Sequence, residues 1–266
     1  MSLKFTILGC GNSSGVPATG NDWGACDPYE PRNRRSRCAL SVQNQTTTLI
    51  IDTGPDFREQ LNRENITAQD ISAILYTHSH GDHVHGIDDL RAVYFQNGKK
   101  RIDIYGKKCA ISEITQRFYY LFEEGNNDDF YDPLLNANII EDYAFGKEMK
   151  IADITFIPFE MDHGSCLTTG YRFGDLSYCV DMKRLDHKAL DILQGSKIWI
   201  VDAAGFNNPN HDVHADLETV YKYNEQIKAE TVYITSLSTQ MDYKTLQAEL
   251  PEGFAPAHDG LVIHRP

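Results

Sequence analysis

Positive charge is scarce in this 266-residue chain. Lys and Arg number 25 against 38 Asp and Glu, giving a net charge of −13 and a pI near 5.1. Such a chain is a poor non-specific partner for nucleic acid or an anionic membrane surface. An anionic substrate would need positive charge supplied locally, and bound divalent ions can supply it. Long apolar runs are missing too, so no membrane-spanning helix is expected. Met1 to Gly9 is a short strand-like segment without an extended apolar stretch or cleavage site, so a secretory signal is not expected either. The six cysteines, Cys10, Cys26, Cys38, Cys109, Cys166 and Cys179, include no C-x-x-C pair. In a chain of this length they do not indicate a disulfide framework, which leaves buried free thiols and a cytoplasmic location as the expectation. Internal repeats, low-complexity tracts and linkers are absent, and the length suits one large domain over 1–266.

What is present alternates between strand and helix patterns. Leu3 to Leu8, Ala39 to Gln43, Thr48 to Asp52 and Ile71 to Tyr76 read as strands. Gly9 to Arg37 reads as a long ordered loop, and such loops in compact domains are often functional. Asp52 or Thr53 can cap a helix over Phe57 to Glu64, with Pro55 suited to its first turn. Val84 to Phe95 and Ala110 to Glu123 are helix-compatible, Arg101 to Gly106 is strand-like, and Gly125 to Pro133 is an acidic, exposed excursion. Met149 to Phe159 reads as a strand pair or one bent strand. Thr168 to Phe173 and Leu176 to Val180 form a hairpin joined by Gly174-Asp175. Leu185 to Leu193 and Asp216 to Lys228 are helices, the latter with Leu217, Val220, Tyr221 and Ile227 near 3.6 spacing. Lys197 to Val201 and Thr231 to Thr235 are core strands, and Tyr243 to Leu250 is a short helix. The pattern by itself gives layered α and β structure.

The densest chemistry lies in Thr77-His78-Ser79-His80-Gly81-Asp82-His83, directly after an apolar strand. A turn there points three imidazoles and a carboxylate into one space. These are donors that Zn²⁺, Mn²⁺ and Fe accept; a solvated polar loop rarely needs that spacing.

This segment resembles the H-x-H-x-D-H signature of the metallo-β-lactamase fold, a superfamily of mostly dinuclear metallohydrolases. The resemblance implies an α/β (α+β) four-layer αββα sandwich, with metals at one edge between two sheets. It implies that His78 and His80 hold one ion and that Asp82 and His83 hold the other. His163, in Asp162-His163-Gly164 after a strand, would complete the first site. Asp181, ending Tyr178-Cys179-Val180-Asp181, would bridge both ions. Read from the residues alone, His163 could be a surface-turn histidine and Asp181 the N-cap of the helix over 185–193. Gly9-Cys10-Gly11-Asn12-Ser13-Ser14-Gly15-Val16-Pro17, Ser36-Arg37-Cys38-Ala39-Leu40, His85-Gly86-Ile87-Asp88-Asp89-Leu90-Arg91 and Met241-Asp242-Tyr243-Lys244-Thr245-Leu246 narrow the resemblance. They look like the subgroup of cyclic-phosphate phosphodiesterases of bacterial phosphonate breakdown, relatives of the tRNA 3′-processing nucleases. In that subgroup an Asp-Ala strand end, here Asp202-Ala203, precedes a His-x-x-His, here His211 and His214. The resemblance makes His214 the general acid or a phosphate contact, and His211 its orienting neighbour or a second contact.

One departure concerns the second ion. The family has a further histidine shortly after the last core strand, but Ile234-Thr235-Ser236-Leu237-Ser238-Thr239-Gln240 has none. The second site would then be weak, held by Asp82, His83 and Asp181. His258, where relatives often carry Tyr, would line the substrate pocket or stand in as a ligand. A structural zinc is not expected, since only Cys26 and Cys38 are near the required place. The implied cofactor is Zn²⁺ or Mn²⁺, up to two per chain. The implied reaction is hydrolysis of a small cyclic phosphate or nucleotide-like diester by attack of a metal-bound hydroxide, with Asp82 handling the water's proton and His214 protonating the leaving oxygen. Two other readings stay open: a thioester or lactone hydrolase of the same fold, and a nucleotide-binding protein with an impaired second site. The expected partner is a small phosphodiester or nucleotide, with no membrane and no non-specific nucleic acid; a homodimer is compatible with the sequence.

Overall fold

A computed structural model describes residues 2–122 and 132–265. The first half of the chain lays down β1 (Leu3–Gly9), β2 (Ala39–Gln43), β3 (Thr48–Ile51), β4 (Ile71–Leu75), β5 (Ile102–Lys107) and β6 (Leu135–Ile140). The second half lays down β7 (Met149–Ile151), β8 (Ile154–Asp162), β9 (Leu167–Phe173), β10 (Leu176–Cys179), β11 (Ile198–Asp202), β12 (Thr231–Thr235) and β13 (Phe254–Pro256). A last strand, β14 (Leu261–Arg265), returns to pair antiparallel with β1. Two seven-stranded sheets result, in the orders β14-β1-β2-β3-β4-β5-β6 and β13-β12-β11-β10-β9-β8-β7.

The strand alternation explains why these sheets stack. In β3, Leu49 and Ile51 face the second sheet while Ile50 faces outward; in β4, Ala73 and Leu75 face inward and Ile74 outward. The inter-sheet core joins Phe5, Ile7, Leu40 and Val42 to Phe156, Phe159, Tyr171, Phe173 and Tyr178, all buried. Each such side chain contributes about 1.5–3 kcal/mol on burial. On the outer face of the first sheet lie α1 (Phe57–Arg63), α2 (Gly81–Val84), α3 (Leu90–Gln96) and α4 (Lys108–Arg117), which bury Phe57, Leu61, Val84, Leu90, Val93, Ile111 and Ile114. The second half supplies α5 (His187–Leu193), α6 (Leu217–Ile227) and α7 (Tyr243–Glu249), with Asp186, Asp216 and Asp242 accepting from backbone N–H groups as N-caps. This is the αββα sandwich.

Several elements differ from their sequence reading. The run Val84 to Phe95 is not one helix: α2 ends at Val84, a 3₁₀ turn covers Ile87–Asp89, and α3 follows. Gly86 causes the break, because its backbone lies so close to the Gly54 carbonyl that a Cβ would stand 2.1 Å from that oxygen. Its N–H is also taken by the Thr53 carbonyl. The helix after β5 ends at Arg117 and is followed by a 3₁₀ turn over Tyr119–Leu121; Glu123, where the sequence reading ends that helix, and residues 125–131 of the excursion over 125–133 lie outside the described residues. Neither Asp52 nor Thr53 caps α1, whose N-cap is Asp56. The strands β6, β13 and β14 carry too little alternation to stand out in the sequence.

Strands β3 to β6 run parallel, as do β10 to β13. Their C-terminal ends therefore gather at one edge of the sandwich, the usual place for sites built from strand-end loops.

Candidate metal centre

Three strand ends turn into this edge through the left-handed region. Asp52 follows β3 with φ +66°, Asp181 follows β10 with φ +52°, and Ser236 follows β12 with φ +57°. All three are buried. Non-glycine residues held there are uncommon and concentrate at functional sites. The His78-to-His83 loop leaves the end of β4 and drops into α2. Gly54 passes under it so closely that a Cβ would sit 2.2 Å from the Asp82 carbonyl.

The ligand atoms of His78, His80, His163 and Asp181 converge within 4.8 Å of one another, and so do those of Asp82, His83 and Asp181. Asp181 Oδ2 is the common point: it lies 3.4 Å from His78 Nε2, 3.3 Å from His83 Nε2 and 3.3 Å from His163 Nε2. The opposite ring nitrogens are engaged by the protein. His78 Nδ1 lies 3.0 Å from Thr77 Oγ1, His83 Nδ1 2.7 Å from Asp52 Oδ2, and His163 Nδ1–H donates to the Val213 carbonyl at 2.8 Å. Asp52 is itself fixed by the Thr77 N–H and hydroxyl, each at 2.8 Å. Anchoring Nδ1 in this way aims Nε2 inward, the arrangement that orients imidazoles for a metal.

The donor chemistry fits a divalent cation. His78 Nε2 is buried with no hydrogen-bond partner, a state that costs about 1–3 kcal/mol unless something accepts the nitrogen lone pair. Burial lowers the pKa of His78, His80 and His163 and keeps them neutral, with free lone pairs. Asp181 is pushed up by burial, but His83 and His78 outweigh that and hold it ionised. Borderline N and O donors in this number suit a divalent metal such as Zn²⁺.

His214 is brought to the same edge. Its ring packs edge-on against His163 with centroids 5.1 Å apart, and its Nδ1 lies 2.6 Å from Asp202 Oδ2, a carboxylate with no solvent exposure. Burial disfavours the charged imidazole, yet Asp202 outweighs it and raises His214 to about 9. His211 packs against His214 at 5.1 Å. Its Nδ1 accepts the Val213 and His214 N–H groups, so its proton sits on Nε2.

His258 is not brought in. Its Nδ1–H donates to the Asp259 carbonyl, and its ring faces Tyr243 rather than either donor set. Neither donor set among the described residues includes His258, so the stand-in ligand role is not met. The neighbouring Asp259 ties the first long loop down, accepting from Cys10 N, Ser36 N, Ser36 Oγ and Arg63 Nη1. Nor is Asp181 a helix cap, since Asp186 caps α5. Sequence reasoning missed the orienting roles of Asp52 and Asp202. Their signal was available: each is a carboxylate directly after an apolar strand.

The β-lactamase superfamily domain matches residues 47–235, which span both donor sets and Asp202. A crystal structure described as a new diphosphatase from the PhnP family superposes with a TM-score of 0.88 at 31% identity, covering 100% of this chain and 98% of that one. Among curated proteins, an octanoyltransferase of Porphyromonas gingivalis is 27% identical over 97% of this chain and 51% of its own length. A ribonuclease Z of Methanopyrus kandleri is 25% identical over 50% of this chain and 43% of its own. The chain thus spans about half the length of these curated relatives. With the matched domain, the superposition over the whole chain and the strand-end donor set in agreement, the chain belongs to the β-lactamase superfamily, as a metallo-β-lactamase-fold member of the PhnP family.

Proposed function

We propose that this hydrolase cleaves a small phosphodiester, either a cyclic phosphate or a nucleotide-like diester. The observation that carries the reading is the His214–Asp202 pair standing edge-on to the metal donor set. A proton donor beside clustered positive charge suits a leaving oxygen that departs as an alkoxide. His78, His80, His163 and Asp181 would hold one divalent ion, and Asp82, His83 and Asp181 would hold a second. When bound, the ions supply an activated water and positive charge against the phosphoryl oxygens. Asp82 would orient a water at this edge and accept its proton. His214 delivers a proton from Nε2 to the leaving oxygen, while Asp202 steadies the imidazolium through Nδ1–H. His211 donates Nε2–H to a phosphoryl oxygen. The relationship to a ribonuclease Z and to a PhnP-family diphosphatase supports phosphoryl chemistry.

The test is titration of metal-stripped protein with Zn²⁺ or Mn²⁺ against bis(p-nitrophenyl) phosphate and a thioester. Cyclic nucleotides, ribose cyclic phosphates, a dinucleoside diphosphate and RNA ends complete the substrate panel. Metal-dependent turnover of a diester is expected. Turnover of the thioester alone would overturn the reading in favour of acyl chemistry, and tight nucleotide binding without turnover would make the protein a binder.

A further inference from the structure

Lys183 lies two residues after the shared Asp181, and its ammonium has an unusual destination in so acidic a chain. Among the described residues it joins no ion pair; Nζ donates to the backbone carbonyl of Asp212. That carbonyl belongs to the loop between His211 and His214. The next carbonyl, Val213, is the one His163 Nδ1–H holds at 2.8 Å. Two consecutive carbonyls are therefore gripped from below, one by an ammonium beside Asp181 and one by an imidazole of the first donor set. The same strand end contributes two more ties: Met182 N donates to Asp202 Oδ2 at 2.9 Å, and the Met182 carbonyl accepts from Ala215 N at 2.8 Å. Gly164 makes room for the loop, since a Cβ there would stand 2.4 Å from the Asp212 oxygen. A loop of exposed and half-buried residues has little apolar packing to fix it, so these polar ties decide where it sits.

We propose that Lys183 is a positioning residue for His214: by holding the Asp212 carbonyl beside the Val213 carbonyl held by His163, it fixes the loop that carries the acid over the donor set. The inference rests on the reading of His214 as proton donor. It also links the two halves of the site. A cation on His163 Nε2 requires the proton on Nδ1, the form that donates to Val213, so a loaded first site and a well-placed acid favour each other. Lysine suits the role because a compact ammonium reaches a single carbonyl oxygen.

The experiment compares Lys183→Met and Lys183→Arg with the parent protein. In metal-free protein, long-range ¹H–¹⁵N correlation of the His214 ring reports its environment without any turnover. Lys183→Met should shift or broaden the His214 ring signals, and Lys183→Arg should restore them in part. In metal-loaded protein, with metal content checked, Lys183→Met should lower kcat on an alkyl-leaving-group diester by about 10–100-fold, the range for lost supporting contacts. Loss on a nitrophenyl diester should be several-fold smaller. Unchanged His214 signals in Lys183→Met, or equal losses on both esters with the parent's leaving-group dependence intact, would overturn the proposal. If His214→Ala itself shows no leaving-group dependence, the acid reading fails, and the ring signals still decide whether Lys183 places His214.

Discussion

On one side of Asp181, burial keeps His78, His80 and His163 neutral. On the other side stands His83, which burial would also make neutral but which Asp181 and Asp52 raise well above its ordinary value. The first donor set thus offers three imidazole lone pairs and a carboxylate. The second offers Asp82, the shared Asp181 and one imidazole that must lose a proton before it can bind. In the segment Ile234–Gln240, which carries no histidine, Ser236 is buried and left-handed, its hydroxyl 3.5 Å from Cys38 Sγ. The comparison teaches that one shared carboxylate can serve two sites of unequal strength. Number of ligands and their protonation set the expected inequality, in which the first ion should bind more tightly.

The most damaging way to break this arrangement is to empty the strong side. The double variant His80→Ala with His163→Ala should lose bound metal and lower diester turnover beyond the roughly 10–100-fold that loss of a supporting contact costs. Elemental analysis after purification without chelator checks it, and unchanged metal content would refute the assignment. Removing the acid leaves both donor sets in place. His214→Ala should cost about 10²–10⁴-fold on an alkyl diester and far less on a nitrophenyl diester, whose leaving group needs no proton. Steady-state kinetics on the pair of substrates gives the answer.

The weak side can be weakened or strengthened on its own. Asp52→Asn removes the carboxylate that orients His83 and should lower second-site affinity by about 10–100-fold, leaving first-site content intact. Ser236→His should raise second-site affinity, since the backbone there already has the left-handed turn of the other inward strand ends. Calorimetric titration of both variants tests the two directions together. Two equal, tight sites in the native protein would mean that another residue completes the second set.

Protonation gives the smallest and sharpest contrast. In the metal-free protein the imidazoles of the first donor set are kept neutral by burial, whereas Asp181 and Asp52 favour a proton on His83. Proton release from His83 should accompany metal loading, read from calorimetry in buffers of different ionisation enthalpy, and second-site affinity should rise with pH. The acid behaves in the opposite sense. His214 is protonated below about 9, so its contribution is present at neutral pH and lost as pH rises through that value. Asp202→Asn removes the group that raises it, so the alkaline limb of kcat on an alkyl diester should move to lower pH. An unmoved limb would show that another group controls it.

Much of the site was readable because it is local. The span from His78 to His83 declares its chemistry within six positions, and His163, Asp181 and His214 each follow a recognisable strand. The ligand alternative for His258 misled because its place in the sequence does not fix whether its ring reaches the donor sets. Asp52 misled because an aspartate before a helix is ordinarily a cap, and only the β3–β4 pairing turns it toward His83. The helix expected over Val84 to Phe95 failed for a related reason: its periodicity is sound, but Gly86 must touch Gly54, a contact made across the fold.

By itself the sequence determined the period-two strands, the donor types, the order of the inward strand ends and the absence of a histidine between Ile234 and Gln240. These are properties of neighbours along the chain, set by sterics and side-chain chemistry. The tertiary structure alone decided which nitrogen of each imidazole faces inward, that one oxygen of Asp181 lies between three rings, and that Lys183 and His163 grip the adjacent carbonyls of Asp212 and Val213. Such facts depend on residues as far apart as Asp52 and Ser236, and on fields that arise only when burial removes water from between them. A linear pattern carries neither the distances nor the dielectric that set them.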